Sequence, residues 1–147
     1  MAEIRREGDL TVFQLEPKER QVLLEIVDRI EPMLGSSHWV APRAYREEEL
    51  EREFRRLAGE DLERARQADL ATLREGLSGP LPVRLGDPEV WGWVRALNFL
   101  RLALAEQLGI AEDGWEEGYS SRQHRRPPLA TLHLLSWLQE ELIDSLA

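Results

Sequence analysis

Residues 87–109, DPEVWGWVRALNFLRLALAEQLG, limit what this chain can fold into more than any other stretch. Asp87, Pro88 and Glu89 form a helix start: Asp87 as N-cap, Pro88 with a φ suited to the first turn, Glu89 favoured by the dipole. Val90, Val94, Leu97, Leu104 and Leu108 then recur at helical spacing, with Arg101 in the middle of their stripe. The adjacent stripe holds Trp91, Arg95, Asn98, Leu102 and Ala105. A helix this apolar around its circumference predicts a central buried rod against which other helices must pack.

Two guanidinium groups and an amide on such a rod need partners. An unpaired buried guanidinium costs several kcal/mol, against roughly 5–15 kcal/mol for the stability of a whole domain. A second helical stretch, residues 46–76, offers acids. Its positions 50, 54, 57, 61, 65 and 68 share one stripe, which places Asp61 among Leu50, Phe54, Leu57, Ala65 and Ala68. The expectation is a structural polar network of Arg95, Asn98, Arg101, Asp61 and Glu53, with an Arg101–Asp61 ion pair holding the two helices in register. The rival expectation is a cleft where Arg95 and Arg101 meet an anionic ligand or an acidic partner segment. Gly59 leaves open whether this second helix bends or splits, at a cost of about 1 kcal/mol relative to alanine.

The remaining elements follow from local signals. Ile4, Thr11, Val12 and Phe13 around Glu7-Gly8-Asp9 predict a β-hairpin within residues 1–15. Residues 81–85 either join the same sheet or cross the surface. Glu16-Pro17 opens a helix over 16–34, with Val22, Leu23, Ile26, Val27, Ile30 and Leu34 on one face. Residues 111–126 carry glycines and mixed charge without a period and predict a mobile loop; Pro127-Pro128 opens a last, leucine-rich helix over 127–146. The fold class is therefore mainly α: a single-domain bundle of four or five helices around a central helix, with a small N-terminal β-hairpin or sheet. At 147 residues the chain has the usual size of one domain.

Composition removes several function classes. There is no cysteine, which excludes disulfides, thiolate nucleophiles and cysteine-ligated metals. The formal net charge of −9 sets the long-range field against phosphate backbones and anionic membranes. With no signal-like N-terminus and no apolar run of membrane length, a cytoplasmic protein is expected. His38, His124 and His133 stand apart without a Glu-x-x-His companion, so no metal and no cofactor are expected. Nucleophile-elbow and phosphate-loop signatures are absent, and Glu47, Glu48, Glu49 and Glu51 read as a solvated helix start rather than as acid/base catalysts. Trp91, Trp93 and Trp137 are expected in the core. In the 111–126 loop, Trp115, Tyr119, Arg122, His124, Arg125 and Arg126 combine an aromatic anchor with basic charge, a candidate surface for gripping an acidic partner.

At EFRRLAGEDL and WVRALNFLRLALAEQLGI the chain resembles a bacterial family known as a domain of unknown function, number twenty-seventeen. The resemblance is carried by Glu53, Phe54, Arg55, Arg56, Leu57, Asp61 and Leu62, and by Trp93, Arg95, Ala96, Leu97, Asn98, Leu100, Arg101, Leu102, Ala103 and Leu104. Pro42-Arg43-Ala44-Tyr45 and Trp137-Leu138-Gln139-Glu140 fit as well, whereas Phe99 and Ala58-Gly59 depart from the pattern. The resemblance implies no activity, cofactor or catalytic residue. Members are often encoded beside the adaptor of the Clp protease, which implies an accessory role in protein turnover, and some carry a transcriptional-regulator label. The reading is a non-catalytic interaction or regulatory protein with a protein partner, engaged through a helical face or the 111–126 loop. Its rivals are a DNA-binding regulator and an enzyme or small-molecule binder using Arg95 and Arg101. A homo-oligomer is compatible with all three.

Overall fold

The computed structural model describes residues 3–33, 48–109, 120–124 and 127–146, with side chains at all of these except 33, 48–60, 121, 124, 127 and 128. Strands β1 (Ile4–Glu7) and β2 (Leu10–Phe13) pair antiparallel with Glu7 opposite Leu10, leaving a two-residue loop in which Gly8 has φ +62°. A tight hairpin whose first loop residue has positive φ matches the strand twist and selects glycine there. Strand β3 (Val83–Gly86) adds to the far side of β2, antiparallel, with Val83 opposite Phe13, in the order β1-β2-β3. Residues 81–85 thus contribute a strand rather than a surface crossing. As the middle strand, β2 is buried at Thr11, Val12 and Phe13.

Helix α1 (Pro17–Ile30) begins where Glu16 and Pro17 predict, and the Glu19 carboxylate accepts the Glu16 N–H at 3.0 Å. It buries Leu23, Ile26, Val27 and Ile30, then tightens into a 3-10 turn over Glu31–Met33; residue 34 of the expected helix lies outside the described residues. Helix α3 (Asp87–Gln107) has Gly86, not Asp87, as its N-cap; Glu89 accepts the Gly86 N–H at 3.2 Å. Asp87 pairs instead with Arg6 of β1 at 2.8 Å, tying the sheet to the start of the central helix. Gly109, at φ +72°, ends the last turn, as a left-handed residue after a helix does. Helix α4 (Ser121–His124) is a single turn, and α5 (Pro127–Ser145) buries Leu129, Leu132, Leu135, Leu138 and Leu142. Each such leucine contributes about 1.5–3 kcal/mol relative to leaving it in water.

Helix α2 (Glu48–Ser78) is one continuous helix of 31 residues through Gly59. Its phase differs from the one expected. Leu70, Leu73 and Leu77 are buried, while Asp61, Ala65 and Ala68 are exposed. The packed side passes through Arg66, Leu70, Leu73 and Leu77, and Asp61 lies about 140° round the helix from Arg66. What fixes this phase is Gly76. The buried indole of Trp93 on α3 lies directly against it, and a Cβ at Gly76 would come within 2.5 Å of Trp93 Cζ2. Phe13 of β2 meets the same indole edge to face, with centroids 5.3 Å apart and planes at 83°. Trp93 therefore joins α2, α3 and the sheet by shape alone: its Nε1 is buried with no hydrogen-bond partner among the described residues.

Polar contacts close the ends. Arg20 of α1 donates to the carbonyls of Leu77 and of Gly79 (2.8 Å), satisfying acceptors that the end of α2 leaves open. Arg6 donates to the buried Thr11 hydroxyl at 3.1 Å; Thr11 donates to Ser145 at 3.2 Å, and Ser145 to the Leu142 carbonyl at 2.6 Å. This chain of donors fastens the end of α5 to the middle strand.

Two glycine-to-alanine changes in helices should act in opposite directions. Gly76→Ala puts a methyl into the indole and should lower unfolding stability by about 1–3 kcal/mol despite alanine's higher helix propensity. Gly92→Ala meets only ordinary contacts, 3.6 Å to Asp69 and Thr72, and should raise stability by up to about 1 kcal/mol. Urea titrations of both variants against the wild type measure the signs; a stabilised Gly76→Ala would mean the indole is not seated on α2.

Candidate functional site

The central helix is walled by two antiparallel neighbours. On one side Arg95 meets Asp69, Phe99 lies under Arg66 and Gly92 faces Thr72, so α2 descends as α3 rises. On the other, Gln139 of α5 donates to the Val94 carbonyl at 3.4 Å, and Ser145 reaches the sheet beside the start of α3. The α3 surface left between these walls is one narrow strip: Trp91, Arg95, half-buried Asn98, Leu102 and Glu106.

That strip is where the exposed apolar surface collects. The large exposed hydrophobic side chains among the described residues are Leu62, Trp91, Leu102 and Ile143, at 40%, 48%, 45% and 43% exposure. Trp91 and Leu102 lie on the strip itself. Leu62 is seven residues before Asp69, hence on the same side of α2, and the pairings 69 with 95 and 66 with 99 bring it level with Leu102. Ile143 is one turn beyond Gln139, and the pairing of 139 with 94 brings it level with the Trp91 end. One face built from α2, α3 and α5 therefore presents apolar side chains at both ends.

At its centre is an ion pair. Arg95 Nε and Nη2 donate to the two Asp69 carboxylate oxygens at 2.9 and 3.0 Å, a bidentate arrangement with Asp69 15% and Arg95 59% exposed. The hydrogen bond to Asp69 raises the Arg95 pKa above the ordinary guanidinium value. Arg74 clasps α2 to α1 in the same manner through Asp28 (2.6 Å) and Glu31, and these hydrogen bonds, Asp28 first, raise its pKa. Arg66 stands over the Phe99 ring, 5.1 Å from its centroid.

The expected Arg101–Asp61 pair is not formed. Arg101 donates to Asn98 Oδ1 at 2.8 Å on its own helix, and Asp61 pairs with Arg64 one turn further along α2. Arg101 follows Val94 by seven residues and so lies on the α5 side of α3, whereas Asp61 belongs to α2, behind the opposite wall. For the same reason Arg95 and Arg101, about 120° apart on the helix, line no common cleft. Two hollows lined by described residues, of about 300 and 310 Å³, lie along α1 and between the end of α2 and β3; neither includes Arg95 or Arg101. Glu53 lies on α2, but its side chain is outside the described residues, as are Trp115, Tyr119, Arg125, Arg126 and the side chain of His124.

Trp91 is exposed rather than in the core; Trp93 is buried, and Trp137 packs half-buried against the core cluster. Arg122 is exposed on α4, so part of the expected 111–126 loop is helical. There Ser120 and Gln123 cap each other, with Gln123 N–H to Ser120 Oγ at 3.2 Å and Ser120 N–H to Gln123 Oε1 at 2.7 Å. Ser-x-x-Gln is a capping signature that the sequence displays openly. Among the described residues no group of three or more His, Asp or Glu side chains could hold a metal ion, and no helix is long and apolar enough to cross a membrane.

Double-mutant cycles check this wiring. Arg95→Ala with Asp69→Ala should show a coupling of about 0.3–1 kcal/mol, typical of an exposed or half-exposed pair. Arg101→Ala with Asp61→Ala should add within about 0.5 kcal/mol, and a larger coupling would restore the pairing that the structure replaces. No curated protein and no solved structure matches the chain. The pattern of one protein family matches residues 1–146, and the chain belongs to that family, described as a domain of unknown function (DUF2017).

Proposed function

We propose that this protein works by binding another protein rather than by catalysis, and that its contact surface is the open face of α2, α3 and α5. The observation that carries the reading is the gathering of Leu62, Trp91, Leu102 and Ile143 on one face of an otherwise charged surface. A half-exposed tryptophan on the most buried helix is held rigidly and offers a large contact area at small entropic cost, the profile of an interface anchor. The ion pair of Arg95 and Asp69 at the centre supplies orientation. The gene neighbourhood implied for the family makes the adaptor of the Clp protease the first partner to test, with an accessory role in protein turnover.

The rival readings have less support. A DNA-binding surface needs uncompensated cations, and Arg5, Arg6, Arg64, Arg74 and Arg95 are each paired with a carboxylate of this chain. A small-molecule cleft built on Arg95 and Arg101 needs both heads in one hollow, and they diverge.

Calorimetric titration with the purified Clp adaptor, alongside a duplex-DNA mobility shift at low salt, separates the readings. Binding of the adaptor that weakens about 30-fold in Trp91→Ala, with the melting curve unchanged, is the expected result. A steeply salt-dependent DNA shift in the absence of adaptor binding would replace this reading with the regulatory one.

A further inference from the structure

We infer that the occupant of the open face is a second copy of this chain, in a two-fold dimer whose axis crosses α3 near its middle. The inference rests on reading that face as a contact surface and adds what covers it while no other partner is bound. The argument is its symmetry. Trp91 and Leu102 are eleven residues apart, about 16 Å along a helix, and Arg95 and Asn98 lie between them. Ile143 accompanies Trp91 at one end, and Leu62 accompanies Leu102 at the other. The face therefore runs apolar, polar, apolar along α3, with the Arg95–Asp69 ion pair in its polar centre and Arg66 beside it over Phe99.

Such a pattern is complementary to itself in one orientation. A two-fold axis lying in the contact plane at right angles to α3 sets the two central helices antiparallel. Trp91 of each copy then covers Leu102 of the other, Arg95 of each approaches Asn98 of the other, and each guanidinium meets the opposite carboxylate. An axis along α3 would place Arg95 on Arg95 and tryptophan on tryptophan, so charge selects the antiparallel arrangement. Arg95 is available for this because, though bound to Asp69, it remains 59% exposed and keeps donors for a second acceptor.

Sedimentation velocity over a concentration series, with circular dichroism to verify folding, tests the proposal. The wild type should sediment with the mass of two chains, and Trp91→Ala should weaken the dimer at least about 10-fold while keeping the circular dichroism spectrum of the folded chain. Arg95→Glu and Asp69→Arg should each be monomeric alone, since each gathers like charge at the crossing, and should form a mixed dimer when combined. A wild type that stays monomeric throughout overturns the dimer. If that monomer binds the Clp adaptor through Trp91, the reading of the face as a contact surface stands and only its occupant changes; if it binds neither, both are lost. A dimer that survives Trp91→Ala and both charge variants would place the contact elsewhere and equally overturn the proposal.

Discussion

The seat of Trp93 on Gly76 is the contact from which the rest of the arrangement follows. An indole seated against a helix backbone requires the absence of a side chain at one position, here Gly76. Phe13 closes the third side, so the sheet, α2 and α3 meet around one ring. The buried Nε1 forgoes a hydrogen bond that would ordinarily be worth about 1 kcal/mol. The burial of the ring's apolar area outweighs that loss, which marks the tryptophan as a shape element.

With α2 held there by its last two turns, the clasps along its length follow. Arg20 seals its end, Arg74 ties it to α1, and Asp69 ties it to α3. Of the two arginines on the apolar rod, Arg95 joins α3 to α2 through Asp69, and Arg101 bonds Asn98 within α3. What remains uncovered is equally a consequence. With α1 and the sheet packed to one side of α3, and α2 and α5 as its walls, the strip through Trp91 and Leu102 stays open to solvent. In a chain of net charge −9, a nearly neutral face with apolar ends is the surface most suited to another protein.

Much of this was legible in the sequence. Glu16-Pro17, Asp87-Pro88-Glu89 and Pro127-Pro128 mark three helix starts to within a residue, and Gly8 marks the hairpin turn. The phase of α2 was not, because apolar residues stand all round it: Leu50, Phe54 and Leu57 define one stripe and Leu70, Leu73 and Leu77 another. Only the location of the tryptophan that packs on Gly76 decides between them, and that is a tertiary fact. The same ambiguity turns Asp61 toward Arg101 on a helical wheel and hides Asp69. Trp91 reads as a core residue because tryptophan is highly buried on average. Its i, i+4, i+7 companions Arg95 and Asn98 carried the contrary signal: a stripe with two polar residues at its centre belongs at the surface.

Native-state hydrogen exchange, resolved by residue, reads the central joint directly. If the Trp93 seat holds the fold together, the amides of residues 70–77 and 92–104 exchange only through global unfolding, at one common free energy, whereas residues 61–68, outside the joint, open locally at a lower one. Residues 70–77 opening ahead of α1 and α5, with α3 still protected, would show that α2 is an appendage and that the indole does not anchor it.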